Sequence, residues 1–115
     1  QTQLFPAMQA ADVVCLPSLR EPFGIAAAEA MALGAPTLLT RTDGFLELVG
    51  NSESAVMVDP GDSAGLADAL WTLYQSPDLR ADLGKRGRLR VCDNFDMSVC
   101  AAKWVDVFDR TAKEL

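Results

Sequence analysis

Histidine is absent from the 115 residues, so no Ser/His/Asp or Cys/His nucleophile system can be assembled, and acid–base work would fall to carboxylates. A metal site would have to be built from carboxylates and thiolates alone, and none is expected. Cysteine is scarce. Cys15, Cys92 and Cys100 are odd in number and too widely spaced for a zinc ribbon or a CxxC redox pair, which predicts reduced, buried thiols in a cytosolic setting. No apolar run approaches the roughly 20 residues that span a bilayer, and no charged-then-apolar leader opens the chain, so a soluble cytoplasmic protein is expected. Basic residues number 10 against 16 acidic, a formal charge of −6. Affinity for a phosphate backbone grows with the number of cationic contacts, so DNA and RNA are not expected partners.

What is present is ordinary globular composition: 50% apolar residues, 23% charged, and enough chain for one core but not two. Leu4 to Ala11 places apolar and small residues at helical spacing, and Asp12 to Leu16 (DVVCL) reads as a buried strand. Pro17 and Ser18 end it, with Ser18 capping the turn, and Leu19 to Pro22 forms a loop. Gly24 to Leu33 (GIAAAEAMAL) is rich in strong helix formers and is stopped by Gly34, with Pro36 just beyond. Pro36 to Thr40 (PTLLT) is a second strand, Arg41 to Gly44 a polar loop, and Phe45 to Val49 a short helix in which Glu47 completes a capping arrangement. Ala55 to Val58 is a third strand, closed by the turn cluster Asp59, Pro60, Gly61 and Asp62, with Ser63 as the helix N-cap. Helices follow over Ala64 to Gln75, Pro77 to Asn94 behind the cap Ser76, and Met97 to Lys113 behind Asp96.

Strand–helix alternation of this kind specifies an α/β fold: a partial Rossmann-like, doubly wound parallel sheet followed by carboxyl-terminal helices. Three strands make half of such a sheet. The chain also opens on Gln1 with a helix almost at once, so residues 1–115 are expected to form a single partial domain excised from something longer.

The informative stretch is Arg20 to Ala30 (REPFGIAAAEA), at the carboxyl end of the first strand and the start of a helix, where open α/β sheets bind ligands. Glycine at position 24 lets the backbone approach a ligand, and the unpaired amides behind it carry the positive end of the helix dipole, a natural seat for phosphate. Glu29 lies five residues further on, about 7.5 Å up the axis, while Glu21 stands just before the helix. Two carboxylates flanking one set of amides suit a central diphosphate with hydroxyl-bearing rings at both ends, since a carboxylate accepts two hydrogen bonds from a vicinal diol. A nucleotide sugar has that form.

Glu21 to Glu29 (EPFGIAAAE), two glutamates separated by seven residues, resembles the signature of retaining glycosyltransferases of the GT-B fold, the glycosyl transferases group 1 family. The resemblance runs through ADVVCLPS, EAMALGAPTLLT, DGFLELV and VDPGDSAGLADAL, and is densest from Ala11 to Leu70. It implies that Glu21, the catalytic candidate, contacts the donor sugar, that Phe23, Gly24 and Ile25 offer backbone amides to sugar and phosphate, and that Glu29 holds the ribose hydroxyls. It also implies that Leu38 to Thr40, with Thr42, Asp43 and Gly44, closes over the nucleotide, which makes Thr40 and Gly44 donor-binding candidates. Where the family often has two glycines, this chain has Asp43 and Gly44. The family's Arg and Lys for the diphosphate lie upstream of the region covered, and its acceptor site belongs to a separate amino-terminal domain, so the chain alone is expected to be inactive. No cofactor is implied beyond the nucleoside diphosphate sugar as donor substrate.

Blander readings stand beside these. Arg20 is either a solvated loop cation or a phosphate contact. The basic stretch Arg80, Lys85, Arg86, Arg88 and Arg90 reads first as a charged exposed face and second as a peripheral contact with an anionic membrane. Trp71, Tyr74, Trp104 and Phe108, at helical intervals, pack as core or against the absent domain. Asp59 to Asp62 is turn chemistry rather than a cation site. A nucleotide-sugar epimerase or phosphorylase is an alternative, although the first would want histidine acid–base groups. A non-catalytic interaction module with the same fold is another.

Overall fold

A computed structural model describes residues 7, 8 and 10–94. Three short strands, β1 (Val14–Leu16), β2 (Thr37–Thr40) and β3 (Val56–Val58), form a parallel sheet in the order β1-β2-β3. Cys15 lies opposite Leu38, and Thr40 lies opposite Val58, so the carboxyl ends of all three strands open on the same edge. The helices are α1 (Ile25–Ala32), α2 (Asp43–Val49), α3 (Ser63–Gln75) and α4 (Pro77–Asn94). Ala7, Met8 and Ala10 are helical ahead of β1, and Ala11 N–H donates to the Ala7 carbonyl at 3.0 Å. The expected helix over Met97 to Lys113, with Cys100, Trp104 and Phe108, lies outside the described residues.

All four residues of β2 are buried, as the central strand of a sheet covered on both faces must be. Leu39 packs with Ala27 and Met31 of α1, Phe45, Leu48 and Val49 of α2, and Val91 of α4. Leu38 points the other way, onto Val58, Leu73 of α3 and Leu83 of α4. Helix α1 ends as its sequence predicts: Gly34 takes φ 79°, its N–H bonds the Met31 carbonyl, and Ala35 N–H reaches back to Ala30. These two bonds satisfy carbonyls that the helix end leaves open. The tight turn also brings the Gly34 carbonyl against Gly84 of α4, where no Cβ would fit.

Several expectations need correction. Helix α2 starts at Asp43, not Phe45, so Gly44 belongs to the helix and not to a loop; the carboxylate of Asp43 in the first turn complements the helix dipole. Glu47 makes no cap, being in the fifth helical position rather than the third. The N-cap of α3 is Asp62, whose carboxylate accepts from Gly65 N–H at 2.9 Å, and Ser63 is the first helical residue. Ser76 does cap α4, accepting from Leu79 N–H at 3.2 Å. Ser18 contributes its backbone carbonyl, not its hydroxyl, to the turn after β1. Cys15 is half-buried, and burial pushes its thiol up, whereas Cys92 is exposed.

Trp71 and Tyr74 are not core: they stack on each other at 5.5 Å and stand 60% and 72% exposed on α3. The basic stretch is not a uniform solvated face either. Arg80 donates to the Leu73 and Tyr74 carbonyls, Arg86 pairs with Asp82 and Glu53, and Arg90 donates to the Leu48 carbonyl. Only Lys85 and Arg88 of that stretch stand exposed without a partner among the described residues. Among the described residues, no helix is long and apolar enough to cross a membrane.

Candidate functional site

The loops that leave β1 and β2 at the open edge of the sheet are stitched together. Thr40, 2% exposed at the end of β2, donates its hydroxyl to the Ser18 carbonyl at 2.6 Å. Gly44 N–H donates to the Glu21 carbonyl at 2.7 Å. A Cβ at position 44 would overlap that carbonyl oxygen and lie 2.8 Å from Phe23 N and from the Pro22 carbonyl carbon, so only glycine permits the approach. On the other side, Arg41 N–H bonds the Val58 carbonyl at 2.8 Å, and its guanidinium pairs with Asp59 at 2.7 Å. Thr40 and Val58 are in register, so the residues following them meet.

Between these loops lies a cleft of about 540 Å³, lined by Arg20, Glu21, Pro22, Arg41, Thr42 and Asp43 among others. A smaller one of about 140 Å³ adjoins it across Leu19, beneath the turn Asp59 to Asp62. Gly24 adopts φ 68°, ψ 29°, the left-handed region where a side chain is strained, and turns the chain into α1. The amides of Ile25, Ala26 and Ala27, the first turn of that helix, have no hydrogen-bond partner among the described residues, and no acidic side chain sits in that turn. Phe23 and Ile25 project outward, 76% and 63% exposed.

The expectation of an open amide at Gly24 is not met. Gly24 N–H donates to Glu21 Oε1 at 2.9 Å, so the carboxylate folds back over the turn that precedes the helix. The short E-P-F-G segment makes this possible, because a side chain three residues back reaches the N-cap amide. Gly44 likewise has its amide engaged by the Glu21 carbonyl, and Thr40 its hydroxyl by Ser18. In this state, Thr40 and Gly44 hold the loops in place.

Glu29 is half-buried on the second turn of α1 and does not line the cleft that contains Glu21. Burial holds its carboxyl above the ordinary carboxylate range. The loop after β2 adds two groups: Thr42, which the resemblance already placed in the segment that closes over the nucleotide, and Arg41, which the sequence shows only as part of a polar loop. Thr42 is the N-cap residue of α2, yet its hydroxyl makes no cap; it is 7% exposed, lines the cleft, and has no partner among the described residues. Arg41 places a guanidinium at the same cleft. Its pairing with Asp59 could have been anticipated from two parallel strands ending side by side, whereas nothing in T-D-G-F signals an uncapped threonine. Arg20 is exposed in the cleft with no partner among the described residues. No group of three carboxylates or thiols converges to hold a metal among the described residues.

The arrangement offers unpartnered amides at a helix start, a carboxylate beside them, two arginines and a buried hydroxyl, which together can hold a polar anion with attached hydroxyls. Comparison with known proteins points the same way. The family model of glycosyl transferases group 1 matches residues 1–90. The chain is 37% identical over 109 residues to an MMP alpha-(1→4)-mannosyltransferase of Mycolicibacterium hassiacum, covering 94% of this chain and 26% of that protein. Sucrose-phosphate synthase of Thermosynechococcus elongatus superposes with a TM-score of 0.75 at 32% identity, over 95% of this chain and 27% of that one. HepE of Anabaena, solved in complex with UDP, gives 0.73 at 26% identity, over 95% and 29%. The chain thus spans just over a quarter of the length of these proteins, and its sheet and helices match part of a GT-B fold.

Proposed function

The chain belongs to the glycosyl transferases group 1 family, and from that membership we propose that it forms the donor-binding part of a retaining glycosyltransferase that takes its sugar from a nucleoside diphosphate. The observation that carries this reading is the first turn of α1, where Ile25 and Ala26 are exposed and their amides have no partner among the described residues, just after Glu21 in the loop that leaves β1. A helix start carries about half a positive charge, which would favour the charge that grows on a departing diphosphate, the interaction that contributes most to such a transfer. The UDP in HepE supports a nucleotide ligand for this fold.

In this reading Glu21 orients the donor sugar, the backbone of Phe23, Gly24 and Ile25 faces sugar and phosphate, and Glu29 holds the ribose. Thr40 and Gly44 contribute by fixing the loop that closes over the nucleotide. Neither glutamate acts as the nucleophile of a double displacement, which needs two carboxyl groups about 5 to 5.5 Å apart at the sugar carbon; Glu29 lies outside the cleft of Glu21. Proteins of this family are several times longer than the chain, and the acceptor site and the remaining cations are assigned to those other parts. The chain alone therefore binds donor without turnover. Isothermal titration with UDP, GDP and ADP tests this: one diphosphate binds and Glu29→Ala weakens it at least fivefold, whereas no binding of any of the three, or binding indifferent to Glu29, overturns the reading.

A further inference from the structure

The bond from Gly24 N–H to Glu21 Oε1 sets two of the proposed donor-binding groups against each other, since an amide that donates to a carboxylate cannot also donate to a phosphate. We propose that Glu21 is an internal competitor of the diphosphate: without donor its carboxylate occupies the Gly24 amide, and it must leave when phosphate arrives. This rests on the donor-site reading above and adds a regulation of that site.

Three observations carry it. The 2.9 Å bond puts a carboxylate oxygen on the amide of Gly24, one of the amides assigned above to sugar and phosphate. The backbone of Glu21 is held independently, by Gly44 N–H on its carbonyl and by the lack of any room at Gly44, so the side chain can swing while the loop stays. The cleft into which it would swing holds the buried, unpartnered hydroxyl of Thr42 and the guanidinium of Arg20. The other unpartnered buried hydroxyl among the described residues, that of Thr37, lies at the opposite end of β2 and has no bearing on the cleft.

Exchange conserves hydrogen bonds. A donor phosphate oxygen replaces Oε1 on the Gly24 amide, and the released carboxylate accepts from sugar hydroxyls. Once the sugar has been transferred, Glu21 has lost its partner in the cleft and returns to Gly24, which works against retention of the diphosphate. A nucleoside diphosphate without sugar therefore meets the competitor at full strength, and a nucleotide sugar compensates it.

The test is titration of the full chain, wild type, Glu21→Ala and Glu21→Gln, with UDP, GDP, ADP and inorganic pyrophosphate. Removal of the competitor should tighten diphosphate binding at least threefold in Glu21→Ala. Glu21→Gln keeps an acceptor for Gly24 without charge, should gain less, and carries the test if the alanine variant does not fold. If wild type binds a diphosphate and both variants bind it equally or more weakly, the competitor is refuted while the site reading stands. If no protein binds any of the four, the site reading falls and the competitor with it.

Discussion

Replacing Gly44 by alanine tests whether the contact between the β1 and β2 loops positions the site. On helix propensity alone the change should stabilise α2 by about 0.5–1 kcal/mol. The structure opposes this, because the new Cβ would overlap the Glu21 carbonyl and crowd Phe23 N and the Pro22 carbonyl carbon, all of them backbone atoms that cannot rotate aside. Overpacking of this kind costs about 1–3 kcal/mol, and displacing the carbonyl also loses the 2.7 Å bond from Gly44 N–H, worth about 0.5–1.5 kcal/mol. The net loss is near ~2 kcal/mol, and at about 4–8 °C per kcal/mol for a domain of this size the midpoint should fall by roughly 8–16 °C. Thermal unfolding followed by circular dichroism reads this directly. An unchanged or raised midpoint would mean that the loops have slack, and that Glu21 is not held in place from the α2 side.

Gly84→Ala should destabilise clearly more than Gly87→Ala, because a Cβ at 84 overlaps the Gly34 carbonyl whereas one at 87 meets Met31 and Ser54 at 3.4 Å; equal urea midpoints would contradict the close approach of α1 and α4. Asp62→Ala should cost about 0.5–2 kcal/mol through loss of the α3 cap, and Ser63→Ala much less, with urea unfolding deciding between them. Burial raises the Glu29 carboxyl above its unfolded value, so its contribution favours folding at low pH and is lost as pH rises through the folded pKa. Glu29→Gln should therefore gain stability relative to wild type between about pH 3 and about pH 7; a gap that shrinks as pH rises would reverse the sign assigned here.

The strands, the ends of α1 and the turn that joins β1 to α1 were legible because they rest on local rules. DVVCL, PTLLT and AVMV are short apolar runs between turn residues, Gly34 ends the helix it follows, and E-P-F-G marks a strand-to-helix turn at the carboxyl edge of the sheet. What was not legible depends on which partner wins a polar group. Sequence places Glu21, Gly24 and Gly44 together but not the bonds by which Glu21 engages both glycine amides. Asp62 and Ser63 are both good caps, and the turn geometry selects the aspartate. The arginines of α4 looked solvated because they sit at exposed helical spacing, yet Arg80, Arg86 and Arg90 reach carbonyls of other elements. Trp71 and Tyr74 follow the spacing of a buried stripe but lie on the side of α3 away from Leu73, the one residue of that helix fully in the core.

Amide chemical shifts of the isotope-labelled chain during titration with UDP, GDP and ADP test the central claim most directly. The account predicts that the largest shifts fall on Gly24, Ile25, Ala26 and Ala27, with Thr42 following. Saturable binding that leaves these amides unmoved and shifts the exposed face of α3 instead would contradict it.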